Sequence, residues 1–443
     1  MELSGALTVK EVAAFLRVTP QAVYNMVRRE EIPAFKVGSA VRVLGADLEA
    51  YVGKRKRAFA AQIASYEAPG DWVVAARNLC ARFGGRSGGS TAADPSFSLD
   101  SVGFELPAGS TLGVVGPSGS GKTLLLKALA GLVPLDAGAL FLGPRRVDGL
   151  DARSRRAALV FQDYALYPTM DGGRNIAFPL TATGAPKASV GPAVARIAAE
   201  LGIDPAYLSK RIGELPEGIK QLVAIGRAEN RPLDRPLDLL LMDEPLIHLD
   251  ARRKDEMRVF LKRLVEALGA TTVYALNDPA DALSLSDFLL VLKEGRSVQF
   301  GPAPEVYRRP ADAEAMELLS LNGVSFLPGF YAAGSVLLDG LGCEIPAALP
   351  AGADPAYRGK ATLAFRPEEV EPAVGDGKAG FIRAVLERGA PYDGERVLAT
   401  GFPAAPGASA AADGVPRVRF LAPADAAGVV AFRPTGAMAY PLG

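Results

Sequence analysis

A chain of 443 residues is long enough for two or three hydrophobic cores rather than one. Lysine plus arginine equals aspartate plus glutamate at 49 each, which excludes a global basic field for nucleic acid, although residues 1–57 hold ten basic against six acidic side chains. Two isolated cysteines, Cys80 and Cys343, exclude a disulfide framework or a zinc site, and with no signal peptide and no uncharged apolar run of about 18 residues, a cytoplasmic protein without a membrane span is expected.

The first elements are short helices. Thr8-Val-Lys-Glu11 reads as a capping box opening a helix with Val12, Phe15 and Leu16 on one face. Thr19 and Pro20 read as the N-cap and first position of a second helix, with Val23, Met26 and Val27 at core spacing. Ala34–Val37 and Ala40–Val43 flank Gly38-Ser39 as a β-hairpin, and Asp47–Val52 forms a third helix. This order resembles the excisionase/MerR-type winged helix-turn-helix, which implies double-stranded DNA as a partner of residues 1–57. On that resemblance Gln21, Tyr24, Asn25 and Arg28 face the major groove. Arg17, Arg29, Lys36 and Arg42, with the run Lys54–Arg57, meet phosphates. The alternative is a retained fold used for protein contacts.

The expected organisation is a multidomain α/β chain, with a winged helix-turn-helix over 1–53, a linker over 54–70, an α/β domain over 71–312, and a small all-β domain over 320–443. Apolar runs alternate with helical patterns from Trp72 to about Pro310, the α/β signature, interrupted by a Gly/Ser-rich insertion at Gly84–Ser96.

Gly116-Pro-Ser-Gly-Ser-Gly-Lys-Thr123 follows the apolar strand Thr111–Val115 and opens a helix ending at Gly131. That is the context in which a G-x-x-x-x-G-K-[ST] loop cradles phosphates: backbone N–H groups of Gly116, Ser118, Gly119, Ser120 and Gly121 turn inward at a helix N-terminus. Lys122 reaches the β- and γ-phosphates, and the Thr123 hydroxyl binds Mg²⁺. Downstream, Leu237–Pro245 is a buried-strand pattern ending in Asp243, suited to the Mg²⁺ side of a phosphate site, and Glu244, suited to polarising an attacking water.

With these motifs in this order, residues 72–310 resemble the nucleotide-binding subunit of ABC transporters, in particular the sugar and glycerol-phosphate importer branch. The segment Ala158–Leu180 matches that branch's Q-loop. The resemblance implies that Gln162 senses metal and water, that Leu246–Asp250 is the D-loop, and that Phe83 stacks on adenine, its alternative being an ordinary core phenylalanine. It further implies ATP and Mg²⁺ as cofactors, a homodimer, and a membrane permease subunit docked on the Q-loop segment, which would hold the protein at the inner face of the cell membrane.

The chain also departs from the family. Where the signature L-S-G-G-Q belongs, it reads Leu215-Pro216-Glu217-Gly218-Ile219. Proline at the first helical position keeps the helix and removes the hydroxyl donor, while Gly218 keeps a backbone donor for the partner's nucleotide. A Glu217 carboxylate about 4 Å from a phosphate charge would cost about 4 kcal/mol at an effective dielectric near 20. Asn277 stands where the family has a switch histidine. The only histidine, His248, lies in the D-loop, as a rescuing group or as a solvated loop residue. Gln162, Glu244 and Asn277 are therefore the expected catalytic set, with slow hydrolysis. Phe365–Val370 resembles the R-P-E turn of the family's C-terminal β-barrel regulatory domain. Two functions follow: the ATP-binding subunit of an importer, and alternatively an ATP-responsive DNA-binding regulator built from one.

Overall fold

The computed structural model describes residues 6–16, 23, 27, 32–37, 40–48, 50, 72–82, 98–230, 237–247, 249–339, 341, 343–350, 352–372, 382–391, 396–404, 417–423 and 429–442. The chain divides into two compact units, Met1–Ala68 and Pro69–Gly443.

In the first unit the capping box forms as its residue types dictate. Glu11 N donates to Thr8 Oγ1 at 3.2 Å and Thr8 N donates to Glu11 Oε2 at 2.7 Å, opening helix α1 (Val9–Leu16). The hairpin of β2 (Phe35–Val37) and β3 (Ala40–Leu44) gains a third strand, because β1 (Ala6–Thr8) pairs antiparallel with β3. Val12, Val23, Ile32, Val43 and Leu48 form the buried core, and the last helix begins at residue 45, two residues before the expected start.

The second unit opens with an antiparallel sheet of β4 (Trp72–Arg82), β5 (Ser98–Pro107), β7 (Ala137–Leu142) and β8 (Arg145–Arg146), in the order β5-β4-β7-β8. Beside it lies a six-stranded sheet of β6 (Thr111–Val115), β9 (Ala157–Val160), β10 (Leu239–Asp243), β11 (Thr271–Leu276), β12 (Phe288–Lys293) and β13 (Arg296–Pro302). Its order is β13-β12-β6-β11-β10-β9, parallel throughout except at β13. Every residue of β10 and β11 is buried, as strands covered on both faces require.

One face of that sheet packs on α2 (Lys122–Ala130) through Leu125, Leu126 and Leu129. The other packs on a helical layer, with Ile176, Ile197, Val223 and Leu261 in its core. That layer comprises α3 (Gly172–Ala182), α4 (Lys187–Glu200), α5 (Pro205–Leu208), α6 (Glu217–Glu229), α7 (Ala251–Leu268) and α8 (Pro279–Leu285). Two short helices, α9 (Ala303–Arg308) and α10 (Ala313–Leu319), lead onward. No helix among the described residues is long and apolar enough to cross a membrane.

The C-terminal part is all β, as expected. Strands β14 (Ser325–Ala332), β15 (Ser335–Leu338), β16 (Glu344–Pro346), β17 (Gly359–Phe365) and β23 (Met438–Pro441) make one five-stranded sheet. A second holds β18 (Val370–Pro372), β19 (Ile382–Pro391), β20 (Arg396–Ala404), β21 (Val418–Pro423) and β22 (Val429–Pro434). The two share one core, in which Phe432 stacks on Phe420 at 4.4 Å and meets Phe365 at 5.8 Å. The R-P-E turn ties this domain to α9. Arg366 is fully buried, its guanidinium 3.9 Å over the Tyr307 ring, donating to Tyr307 O at 2.7 Å and to Glu369 Oε1 at 2.9 Å. The Tyr307 hydroxyl donates back to Glu368 Oε1 at 3.0 Å.

Candidate functional site

The loop between β6 and α2 folds as its glycines demand. A Cβ on Gly116 would stand 2.1 Å from Leu292 O and 2.5 Å from Ser120 Oγ, so no other residue fits there. Gly121, the N-cap of α2, has φ 102°, in the left-handed region. The loop therefore wraps the N-terminus of a helix whose first N–H groups face outward. At its far end α2 is closed by Arg155, which is almost fully buried and donates to Ala128 O at 2.6 Å and Leu129 O at 2.9 Å, a cation on the negative end of the helix. No motif announced Arg155; a lone arginine in a polar stretch carries no signal of its partners.

Lys122 is 6% exposed and folds back along the loop, Nζ donating to Gly116 O at 2.8 Å and Pro117 O at 3.1 Å. Burial pulls its pKa below the usual lysine value, and the carboxylates of Glu244 and Asp243 oppose that shift. Thr123 Oγ1 donates to Asp243 Oδ1 at 3.2 Å, bringing the end of β10 onto the start of α2. Burial raises the Asp243 pKa, with Glu244 adding to the rise and the Thr123 hydrogen bond opposing it. The next residue, Glu244, holds φ 47°, left-handed for a residue with a Cβ, and its N–H donates to Ala275 O at 3.0 Å. Asn277, just past β11, donates its Nδ2 hydrogen to Glu244 Oε1.

These pieces converge on one cavity of about 380 Å³, lined by residues that include Ser118, Gly119, Gly121, Lys122, Thr123, Gln162, Glu244 and Asn277. Gln162 comes to it from the turn after the edge strand β9. Ser120 is buried beside the cavity with its hydroxyl unpartnered. A basic side chain, a helix N-terminus and the Thr123 hydroxyl in one pocket, with Asp243 hydrogen-bonded behind Thr123, fit a polyphosphate with a divalent cation.

The altered signature stands on α6. Pro216 is the N-cap, with φ −58° and ψ 151°, rather than the first helical residue, and Glu217 opens the helix. The Glu217 carboxylate is paired along its own helix: Lys220 Nζ donates to Glu217 Oε1 at 2.6 Å, a partner the motif comparison did not supply. Gly218 lies in the first turn of α6, outside the cavity lining. Gln221, fully buried, donates to Pro245 O at 2.7 Å and so ties α6 to the turn after Glu244. Phe83 and His248 lie outside the described residues, as do Arg17, Gln21, Tyr24, Asn25, Arg28 and Arg29. Lys36 belongs to strand β2, and Arg42 to β3, its Nη1 donating to Val41 O at 3.2 Å.

Comparison with known proteins gives two family matches, the ABC transporter model over residues 99–247 and a helix-turn-helix domain model over residues 6–56. The sn-glycerol-3-phosphate import ATP-binding protein UgpC of Chromohalobacter salexigens is 40% identical over 282 residues, 63% of this chain and 73% of that protein. Its counterpart from Jannaschia sp. is 35% identical over 292 residues, 66% of this chain and 81% of that protein. Among solved structures, an ATP-binding cassette captured as a post-hydrolysis dimer with ADP and Pi aligns at a TM-score of 0.44 with 22% identity, over 52% of this chain and 98% of that one.

Proposed function

The chain belongs to the family of ABC transporter ATP-binding proteins, and from that premise we propose that it is the nucleotide-binding subunit of an importer, one that binds Mg-ATP and turns it over slowly. The observation that carries this reading is the convergence of Lys122, Thr123, Gln162, Glu244 and Asn277 on one cavity at the N-terminus of α2. The loop N–H groups and Lys122 would hold the phosphates, and Thr123, Asp243 and Gln162 the metal. Bound Mg²⁺ would offset charge on the β- and γ-phosphates.

Glu244 would take the proton of the attacking water, while Asn277 holds one of its oxygens. Asparagine donates a hydrogen bond as histidine does but cannot carry a charge, and losing an optimised donor costs about 10²–10³ in rate. Pro216 offers a second copy's nucleotide no hydroxyl. The names of its relatives support a glycerol-phosphate cargo, carried by a permease docked on the exposed Q-loop segment around Tyr167. That docking would place the protein at the inner face of the cell membrane. The test is calorimetric titration of the full chain with Mg-ATP. One site per chain with micromolar affinity is expected, and no measurable heat would remove the reading.

The helix-turn-helix match favours a second reading, an ATP-responsive DNA-binding regulator. Nucleotide shared between two copies would join two winged modules in one particle, and two tethered heads gain roughly 10²–10⁴ in avidity. DNA affinity should then rise with Mg-ATP and fall with salt at a slope near −4 to −5, for about four to six phosphate contacts. An affinity indifferent to nucleotide would leave the importer reading alone.

A further inference from the structure

The turn that follows β9 carries no glycine, yet Tyr164 and Ala165 have φ 62° and 45°, two successive left-handed residues with side chains. Left-handed backbone is unfavourable for any residue bearing a Cβ and rarely occurs twice in a row. Something must hold it there. Within the turn, Tyr164 N donates to Phe161 O at 2.9 Å and Ala165 N to Asp163 Oδ1 at 3.2 Å, which accounts for the donors.

The acceptors are taken up from elsewhere. Arg227, in the last turn of α6, donates Nη2 to Tyr164 O at 2.8 Å and Nη1 to Ala165 O at 2.7 Å. Its guanidinium lies 5.6 Å from the Tyr167 ring centroid. A planar fork with two parallel donors matches two adjacent carbonyls, whereas an ammonium is a point donor. Beyond the turn, Asn175 fixes Tyr167 from both sides, accepting from its N–H at 2.9 Å and donating to its carbonyl at 3.2 Å. Gln162 therefore sits between a sheet strand and a turn pinned by helical side chains, and its direction into the cavity depends on both.

We propose that Arg227 is a positioning residue for Gln162: by locking the left-handed Tyr164–Ala165 turn, it keeps the glutamine amide in the nucleotide cavity, 65 positions upstream in the chain. The proposal rests on reading that cavity as the Mg-ATP site. Losing the fork frees both residues to relax toward right-handed backbone, and the turn would then carry Gln162 out of the cavity. The phosphate loop is held by its own glycines and by Lys122 and would keep its geometry.

The experiment measures ATP affinity of the full chain calorimetrically, once with Mg²⁺ and once in excess EDTA, for wild type, Arg227→Gln, Gln162→Ala and the double variant. Arg227→Gln should lower Mg-ATP affinity about tenfold and leave metal-free ATP affinity within twofold. Gln162→Ala should reproduce that loss, and the double variant should lose no more than either single one, as expected of residues acting through one another. Arg227→Lys, whose donors all sit on one nitrogen rather than on a planar fork, should fall between. Additive losses, or an equal loss without metal, would overturn the proposal, as would a folding defect in both Arg227 variants, since either assigns Arg227 to general stability. Failure of the wild type to bind Mg-ATP would instead sink the nucleotide reading itself, before any substitution is compared.

Discussion

The two halves of the proposed ATP-facing surface are built on different principles. The phosphate loop is backbone geometry: left-handed Gly119 and Gly121, a Gly116 that no side chain can replace, and a lysine folded onto its own loop carbonyls. The signature helix α6 is side-chain electrostatics, with Glu217 closed on Lys220 and Pro216 in the place of a donor. A backbone cradle tolerates almost no substitution. An edge made of side chains can change residue by residue while the helix beneath it survives, so turnover can be lost without losing the fold.

The sharpest way to break this contrast is at Lys122. Lys122→Ala should weaken Mg-ATP binding by 100-fold or more, roughly 2.7 kcal/mol, because it removes the only loop cation and leaves the backbone donors in place. The melting temperature should change little. Calorimetry beside a thermal scan checks both, and an unchanged affinity would mean that the cradle holds something other than a polyphosphate.

A smaller effect is expected on the other half. Pro216→Ser with Glu217→Gly should raise steady-state ATP turnover about tenfold or more, since it restores a hydroxyl and removes a carboxylate. Adding Asn277→His should raise it further, through a donor that can also carry charge. Mg-ATP affinity of the Pro216→Ser, Glu217→Gly variant should stay nearly constant, because neither residue lines the cavity. Wild-type turnover already at several per second would show that the altered edge is compensated.

The same contrast explains how much of the fold is legible in the sequence. The loop, the strand ending in Asp243, and the Thr8–Glu11 capping box depend on neighbours within a few residues, so spacing alone expressed them. Strand β1 was missed because three residues are too few to show alternation, and it exists only by pairing with β3. Arg155, Lys220, Gln221 and Arg227 were missed for a related reason. Arg155, Gln221 and Arg227 are long side chains on a helix or in a polar loop, and each reaches a carbonyl that tertiary packing brings near, 24 to 63 positions away. For Lys220 the spacing to Glu217 was visible, but nothing in the sequence marked that pair above any other helical ion pair.

The smallest expected effect lies at the other end of α6 and asks whether electrostatic tension runs along the whole helix. Glu229, its last residue, is a carboxylate at the negative end of a helix dipole, where cations are preferred. Burial, reinforced by the neighbouring Glu200, raises its pKa to about 7, and Arg196, 3.9 Å away, only partly opposes the rise. In the unfolded chain the same carboxyl loses its proton near the ordinary value of 4.5. Between those two values the folded protein binds more protons than the unfolded one, so this group's contribution to stability falls as pH rises through the window. Below about 4.5 both forms are protonated and the group contributes no difference. Above about 7 the folded protein carries a buried charge and the penalty is complete. Glu229→Gln removes the charge and keeps the shape, so it should match wild type in melting temperature at pH 4.5 and exceed it by about 2–4 °C at pH 8. Equal curves at both pH values would mean that solvent and Arg196 fully accommodate the carboxylate, leaving the electrostatic character of α6 confined to its Glu217 end.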